Sequence, residues 1–147
     1  MAAPETVEAR VRDSFAKQTI MATIGASVAS VKPGEVEIVL PFSDKVLQQH
    51  GFVHAGVVAT IADSACGYAA LSVMPREAAV LTTEFKINLL APAKGERLRA
   101  VGRVVRAGKK LIVTLGEVFA EEGGQSKQIA LITASLMVID TGTGLRD

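Results

Sequence analysis

Tryptophan is absent from this chain, tyrosine and cysteine occur once each, and all aromatics together make up 4% of its 147 residues. Hydrophobic residues nevertheless reach 49%, so the core has to be built from Val, Ile, Leu and Ala, whose small volumes suit a helix packed tightly on a sheet. The single cysteine excludes an internal disulfide. No basic-then-apolar leader with a small-residue cleavage site opens the sequence, so the expected location is cytoplasmic. Net charge is only +1, which leaves no global field to capture a polyanion, and nucleic acid is not an expected partner. A long uncharged run is missing too. The most apolar stretch, Ala55 to Pro75, carries Asp63 near its centre, where a charge inside a bilayer costs about 2.5 to 3.5 kcal/mol, so no membrane span is expected. At this length one domain, residues 1–147, buries roughly 68 to 70% of its unfolded surface and needs no cofactor to hold it together.

Hydrophobic periodicity orders the elements. Val7, Val11, Phe15 and Ile20 predict an amphipathic helix over about 5–20. Residues 26–32 and 35–41 alternate around Pro33-Gly34 and predict a hairpin. A long helix begins near Ala55, and four β-like runs follow, at 79–90, 96–106, 110–120 and 126–139. Their short connections predict consecutive strands as antiparallel neighbours in a meander. In the first run Leu81, Phe85, Ile87 and Leu89 share one parity, expected to be buried, and Thr82, Glu84, Lys86 and Asn88 the other, expected to be wetter. A helix apolar on nearly every face needs cover on nearly every face, which one curled antiparallel sheet can provide, an α+β layout with its core at about 24–140. Residues 141–147 are expected to fray.

The lone Asp63 is the chemical signal, because a buried carboxylate costs several kcal/mol unless something compensates it. A structural Asp at a helix kink is the bland alternative. Immediately upstream, Gln48-Gln49-His50-Gly51-Phe52-Val53-His54-Ala55-Gly56 delivers the chain into the helix. Free amides at Ala55 and Gly56, helped by the helix dipole, can receive a developing oxyanion, and the missing Cβ of Gly56 would admit a close approach. Asp63 lies eight residues beyond Ala55, about 12 Å along a helix. One carbonyl cannot touch both within a chain, so a site using both must be shared between two chains related by a two-fold axis.

A carboxylate and an oxyanion corner suit acyl transfer to water, and thioesters above all, since a thiol of pKa about 8.5 leaves without protonation. His50, His54, Asp63 and Cys66 include permissible zinc ligands, but their spacing matches no metal motif and no metal is expected. His54 can equally serve as a helix cap, and His50 has no role assigned. Cys66 reads as a core thiol before a nucleophile. Lys94, Arg97, Arg99, Arg103, Arg106, Lys109 and Lys110 cluster against one acid, Glu96, either to dock phosphates or as an ordinary solvated strand face.

The segments Gln48-x-x-Gly51-x-x-His54-Ala55-Gly56, Ala62-Asp63, Thr82-Thr83-Glu84-Phe85-Lys86-Ile87-Asn88-Leu89-Leu90-x-Pro92 and Gly102-Arg103-Val104-Val105-Arg106-x-Gly108-Lys109 together resemble the PaaI-like acyl-CoA thioesterases of the hotdog superfamily. The resemblance runs from about residue 24 to 140 and implies a sheet wrapped around one long helix, with sites at a dimer interface. By position it implies Asp63 as general base or nucleophile, Gln48 as an orienting amide, His54 and the Ala55 amide as the carbonyl-polarising corner, and Thr82 beside the nucleophilic water. It further implies substrate contacts at Gly56 and Val57 and CoA phosphate contacts along Arg106, Gly108, Lys109 and Lys110. The family's usual His-Gly-Gly is His54-Ala55-Gly56 here, and some relatives carry Glu in place of Asp63. The resulting expectation is an acyl-CoA thioesterase without cofactor, a homodimer as the smallest active unit and a homotetramer as its assembly. A non-catalytic acyl-CoA-binding module and a hotdog dehydratase are the alternatives, the acyl group is open, and an acyl carrier protein would also suit the basic patch.

Overall fold

The computed structural model of this protein describes residues 5–145 and 147. Two short helices, α1 (Val7–Ala16) and α2 (Thr19–Ile24), precede the hairpin β1 (Ser27–Lys32) and β2 (Glu35–Pro41). A short 3-10 turn, the central helix α3 (Ala55–Leu71) and four strands follow: β3 (Ala79–Leu89), β4 (Arg97–Ala107), β5 (Leu111–Glu122) and β6 (Gln125–Ile139). The N-terminal helix is broken where one was expected. Gln18 adopts an extended φ −77°, ψ 94° between α1 and α2, and the core position falls to Met21 while Ile20 stays 50% exposed.

All six strands form one antiparallel sheet in the order β1-β2-β4-β5-β6-β3. Only β4, β5 and β6 make the expected meander. β3 and β4 are not neighbours, since β3 crosses to the far side of β6 and β2 takes the place beside β4. That crossing spans three strand spacings, about 14 Å, within reach of the connection at residues 90–96. The rule that short links join antiparallel strands held in direction and failed in adjacency because the sheet curls around α3.

Gly102 of β4 and Gly116 of β5 face one another in register beneath the helix. A Cβ at Gly102 would stand 2.3 Å from the backbone of Ala65, and one at Gly116 would stand 2.8 Å from Cys66 Sγ. The helix therefore rests on bare backbone, with Ala62, Ala65 and Ala69 buried completely or nearly so. Cover is incomplete along one stripe, however: Thr60, Asp63, Ser64 and Gly67 remain half-exposed.

The parity expected for β3 is corrected by a bulge between Thr82 and Glu84. Thr82 pairs with buried Leu136, whereas Leu81 pairs with exposed Met137. Past the bulge, Phe85, Ile87 and Leu89 return to the helix-facing side opposite Ala134, Ile132 and Ala130. Thr82 thus belongs to the inner face and Leu81 to the outer. β3 is also one of the two edge strands of the sheet, the other being β1, and Phe85, Leu89 and Leu90 are 46%, 53% and 55% exposed. Near the C-terminus, residues Thr141–Thr143 form a 3-10 turn, and the Asp147 carboxylate accepts from the Val80 amide at 2.6 Å.

Candidate active site

The loop into α3 is fixed by its own backbone. The Gln48 amide donates to Phe52 O at 2.8 Å, the His54 amide to Val46 O at 2.9 Å, and Gly51 takes a φ of +83° that disfavours any side chain. The Gln48 side-chain oxygen accepts from the His50 amide, which orients its NH2 end as a donor.

His54 is the helix N-cap, and its Nδ1 accepts from the Gly56 amide at 2.8 Å. A ring nitrogen that accepts carries no proton, so the neutral ring bears its hydrogen on Nε2 and offers that N–H to a ligand. The expectation of a free Gly56 amide is corrected by this cap. A Cβ at Gly56 would lie 3.1 Å from His54 Nδ1, so the glycine makes room for the imidazole. Among the described residues the Ala55 amide has no hydrogen-bond partner. A cleft of about 420 Å³ opens there, lined by Gln48, Phe52, Ala55, Val58, Leu89 and Ile129 among others. Val57 packs against the core instead.

Asp63 occupies a different corner. Half-buried on the uncovered stripe of α3, its Oδ1 accepts from Thr82 Oγ1 at 2.8 Å. Burial pushes its pKa up from the usual carboxylate value, and the Thr82 hydrogen bond opposes that rise. A second cavity, of about 300 Å³, is lined by Gln18, Asp63, Ser64, Tyr68, Val80 and Thr82 among others. One chain therefore brings Asp63 to Thr82 and brings Gln48 to Ala55, but it holds the two pairs in separate cavities.

The basic cluster divides. Arg97 and Arg99 pair with Glu121, and Arg103 with Glu35 and Glu117, so this part is a strand face neutralised across β2, β4 and β5. Arg106, Lys109 and Lys110 are exposed around the β4–β5 turn and make no ion pair among the described residues. Gly108 is required in that turn, where a Cβ would meet Leu111 O at 2.5 Å. Lys110 O accepts from the Val138 amide, and Val138 pairs with Val80, so the basic turn lies toward the Asp63 end of the sheet. Cys66 is fully buried, and burial pushes its thiol up to about 11, which leaves it inert at neutral pH. Among the described residues no group of three or more His, Cys, Asp or Glu is placed to hold a metal ion, and none of the described helices is long and apolar enough to cross a membrane.

Gln18 and Ser64 carry no sequence signal for the second cavity. Gln18 belongs to an N-terminal segment outside the motifs, and only the break between α1 and α2 brings it over α3.

A helix laid in a curled antiparallel sheet, with a carboxylate on its open stripe and a capped N-terminus, defines a hotdog α+β protein. Residues 50–127 match the thioesterase superfamily model. A crystal structure of a thioesterase family protein from Silicibacter pomeroyi is 49% identical and superposes with a TM-score of 0.89 over 91% of this chain and 98% of that one. The PaaI protein of E. coli shares the fold at 22% identity, with a TM-score of 0.82 over 90% of this chain and 93% of that one. A putative esterase from Halobacterium salinarum is 34% identical over 60% of this chain, and the match spans 62% of that relative's length. The chain belongs to the thioesterase superfamily. Within the superfamily it resembles the PaaI-like hotdog proteins in fold.

Proposed function

We propose that the protein hydrolyses acyl-CoA thioesters at two equal sites shared across a homodimer. The carrying observation is the separation of Asp63–Thr82 from Gln48–Ala55 into two cavities of one chain, which a two-fold partner would bring face to face. The free edge β3 is the natural seam. An eleven-residue edge strand paired on one side only invites pairing on the other, and a second copy would cover Phe85, Leu89 and the open stripe of α3 together. Such dimers can associate further into the tetramer, which sedimentation would read.

In this arrangement the thioester carbonyl oxygen sits at the N-terminus of α3 in one chain. The Ala55 amide and His54 Nε2–H donate to it, the helix dipole favours the charge that develops there, and the Gln48 NH2 holds the acyl group in line. Asp63 of the other chain, steadied by Thr82, takes a proton from water, whose oxygen bonds to the carbonyl carbon. Collapse of the tetrahedral oxyanion breaks the C–S bond and releases CoA as thiolate with the free acid. Direct attack by Asp63 would give the same products through an anhydride. Arg106, Lys109 and Lys110 provide an unpaired cationic turn for the nucleotide phosphates, and Gly108 allows that turn to form. Free-thiol release from a panel of short-, medium-, long-chain and aryl-CoAs tests this reading. Turnover that disappears in Asp63→Asn is expected. Saturable acyl-CoA binding without thiol release would replace it with a non-catalytic binding module.

A further inference from the structure

We infer that the cavity beside Asp63 selects a compact, uncharged acyl group bearing its own hydroxyl or oxo oxygen, with Gln18 as the specificity-determining residue. This rests on the thioesterase reading and names its substrate class.

The cavity wall is polar where an alkyl chain would want it apolar. Ser64 Oγ lies 3.2 Å from Gln18 Oε1, and Gln18 makes no cap bond to α2. Serine can donate or accept, so either orientation of the Gln18 carboxamide leaves its other end without a partner among the described residues. Gln18 lines the same cavity as Asp63 and Thr82. The Tyr68 hydroxyl already has a partner in Ser14 at 3.2 Å, whereas one end of the Gln18 carboxamide has none among the described residues, which makes Gln18 the group that gains most by meeting an acyl oxygen. An unsubstituted chain filling the cavity would strip water from this amide and return no hydrogen bond.

The same wall disfavours a second negative charge on the substrate. Asp147 lines the cavity together with Asp63, and among the described residues no lysine or arginine lines it. A terminal carboxylate on the acyl group would face the Asp63 and Asp147 carboxylates, whereas a hydroxyl or ketone would face a neutral amide.

The test compares kcat/KM for butyryl-, 3-hydroxybutyryl-, 4-hydroxybutyryl- and succinyl-CoA in the parent and in Gln18→Met, which keeps length and removes the amide. The parent is expected to favour one hydroxyacyl substrate over butyryl by roughly tenfold and to turn over succinyl-CoA slowest, as one hydrogen bond in a desolvated site predicts. Gln18→Met is expected to bring the hydroxyacyl-to-butyryl ratio near one, and Ser64→Ala to lower it less. A ratio measured within one preparation does not depend on how much of it is folded. A parent that prefers butyryl or succinyl, or a ratio untouched by Gln18→Met, would overturn the inference while leaving the thioesterase reading intact. Absence of thiol release from every acyl-CoA, including the wider panel, would instead overturn the hydrolase reading and this inference with it.

Discussion

Subunit complementation gives the sharpest check on the shared site. Asp63→Ala removes the base and Gln48→Ala removes an orienting donor, and each alone is expected to leave roughly 1% of parent activity or less, in line with losing one group at a preorganised acyl-transfer site. Asp63 and Ala55 are about 12 Å apart along one helix and line different cavities. If each site takes Asp63 from one chain and Gln48 from the other, a mixed dimer contains one site with both groups intact and one with neither. Random reassembly of equal amounts makes about half of all dimers mixed, and half of the sites in those are intact, so activity should return to about one quarter of the parent value. Co-expression of differently tagged chains, or dissociation and refolding together, followed by a thiol-release assay, measures this directly. A mixture no more active than the average of its two components, despite demonstrated mixed dimers, would refute the cross-subunit geometry.

Four further outcomes follow from the same structure. Asp63 must be ionised to act, and burial raises its pKa, so the acid limb of kcat/KM should lie above the ordinary carboxylate value of about 3.9, and Thr82→Val, which removes the opposing hydrogen bond, should move it higher; an unmoved limb would count against Asp63 as the base. The same raised pKa means that Asp63's contribution to stability is full below its unfolded pKa and lost as pH rises through the folded one, so Asp63→Asn should raise the melting temperature more at pH 7 than at pH 4. His54→Ser keeps a strong N-cap and loses the Nε2–H, so the melting temperature should hold while kcat falls roughly 10²-fold; retained kcat would reduce His54 to a cap. Gly102→Ala sets a methyl against helix backbone at 2.3 Å and should cost about 3 kcal/mol or more, whereas Gly116→Ala meets Ile132 and Cys66 side chains that can yield and should cost about 1 to 3 kcal/mol, both read by urea denaturation.

Much of the architecture is written locally. Alternation around Pro33-Gly34, the apolar run from Ala55, and the turn residues between later strands each act over a few residues, so the hairpin, α3 and the three-strand meander were legible. Asp63 stood out for the same local reason, as a single charge in an apolar helix, and helical rise alone separated it from Ala55. The order β6-β3 at the sheet edge was not legible, because adjacency depends on how far the whole sheet curls. Nor was the inward turn of Thr82, because one bulged residue reverses every parity before it.

What the sequence by itself determined is the inventory: a small-residue core, one helix needing cover on nearly every side, a lone carboxylate, and a His-Ala-Gly entry to that helix. Packing alone settles that the Gly56 amide is taken by His54, that Thr82 reaches Asp63, that Arg97, Arg99 and Arg103 of the basic cluster are neutralised across strands, and that Gln18 comes to rest on Ser64. The division has one physical cause. Propensity and periodicity are fixed by neighbours in the chain, whereas a hydrogen bond between residues far apart in sequence exists only once packing has chosen the curl, the bulge and the helix break that bring its two ends together.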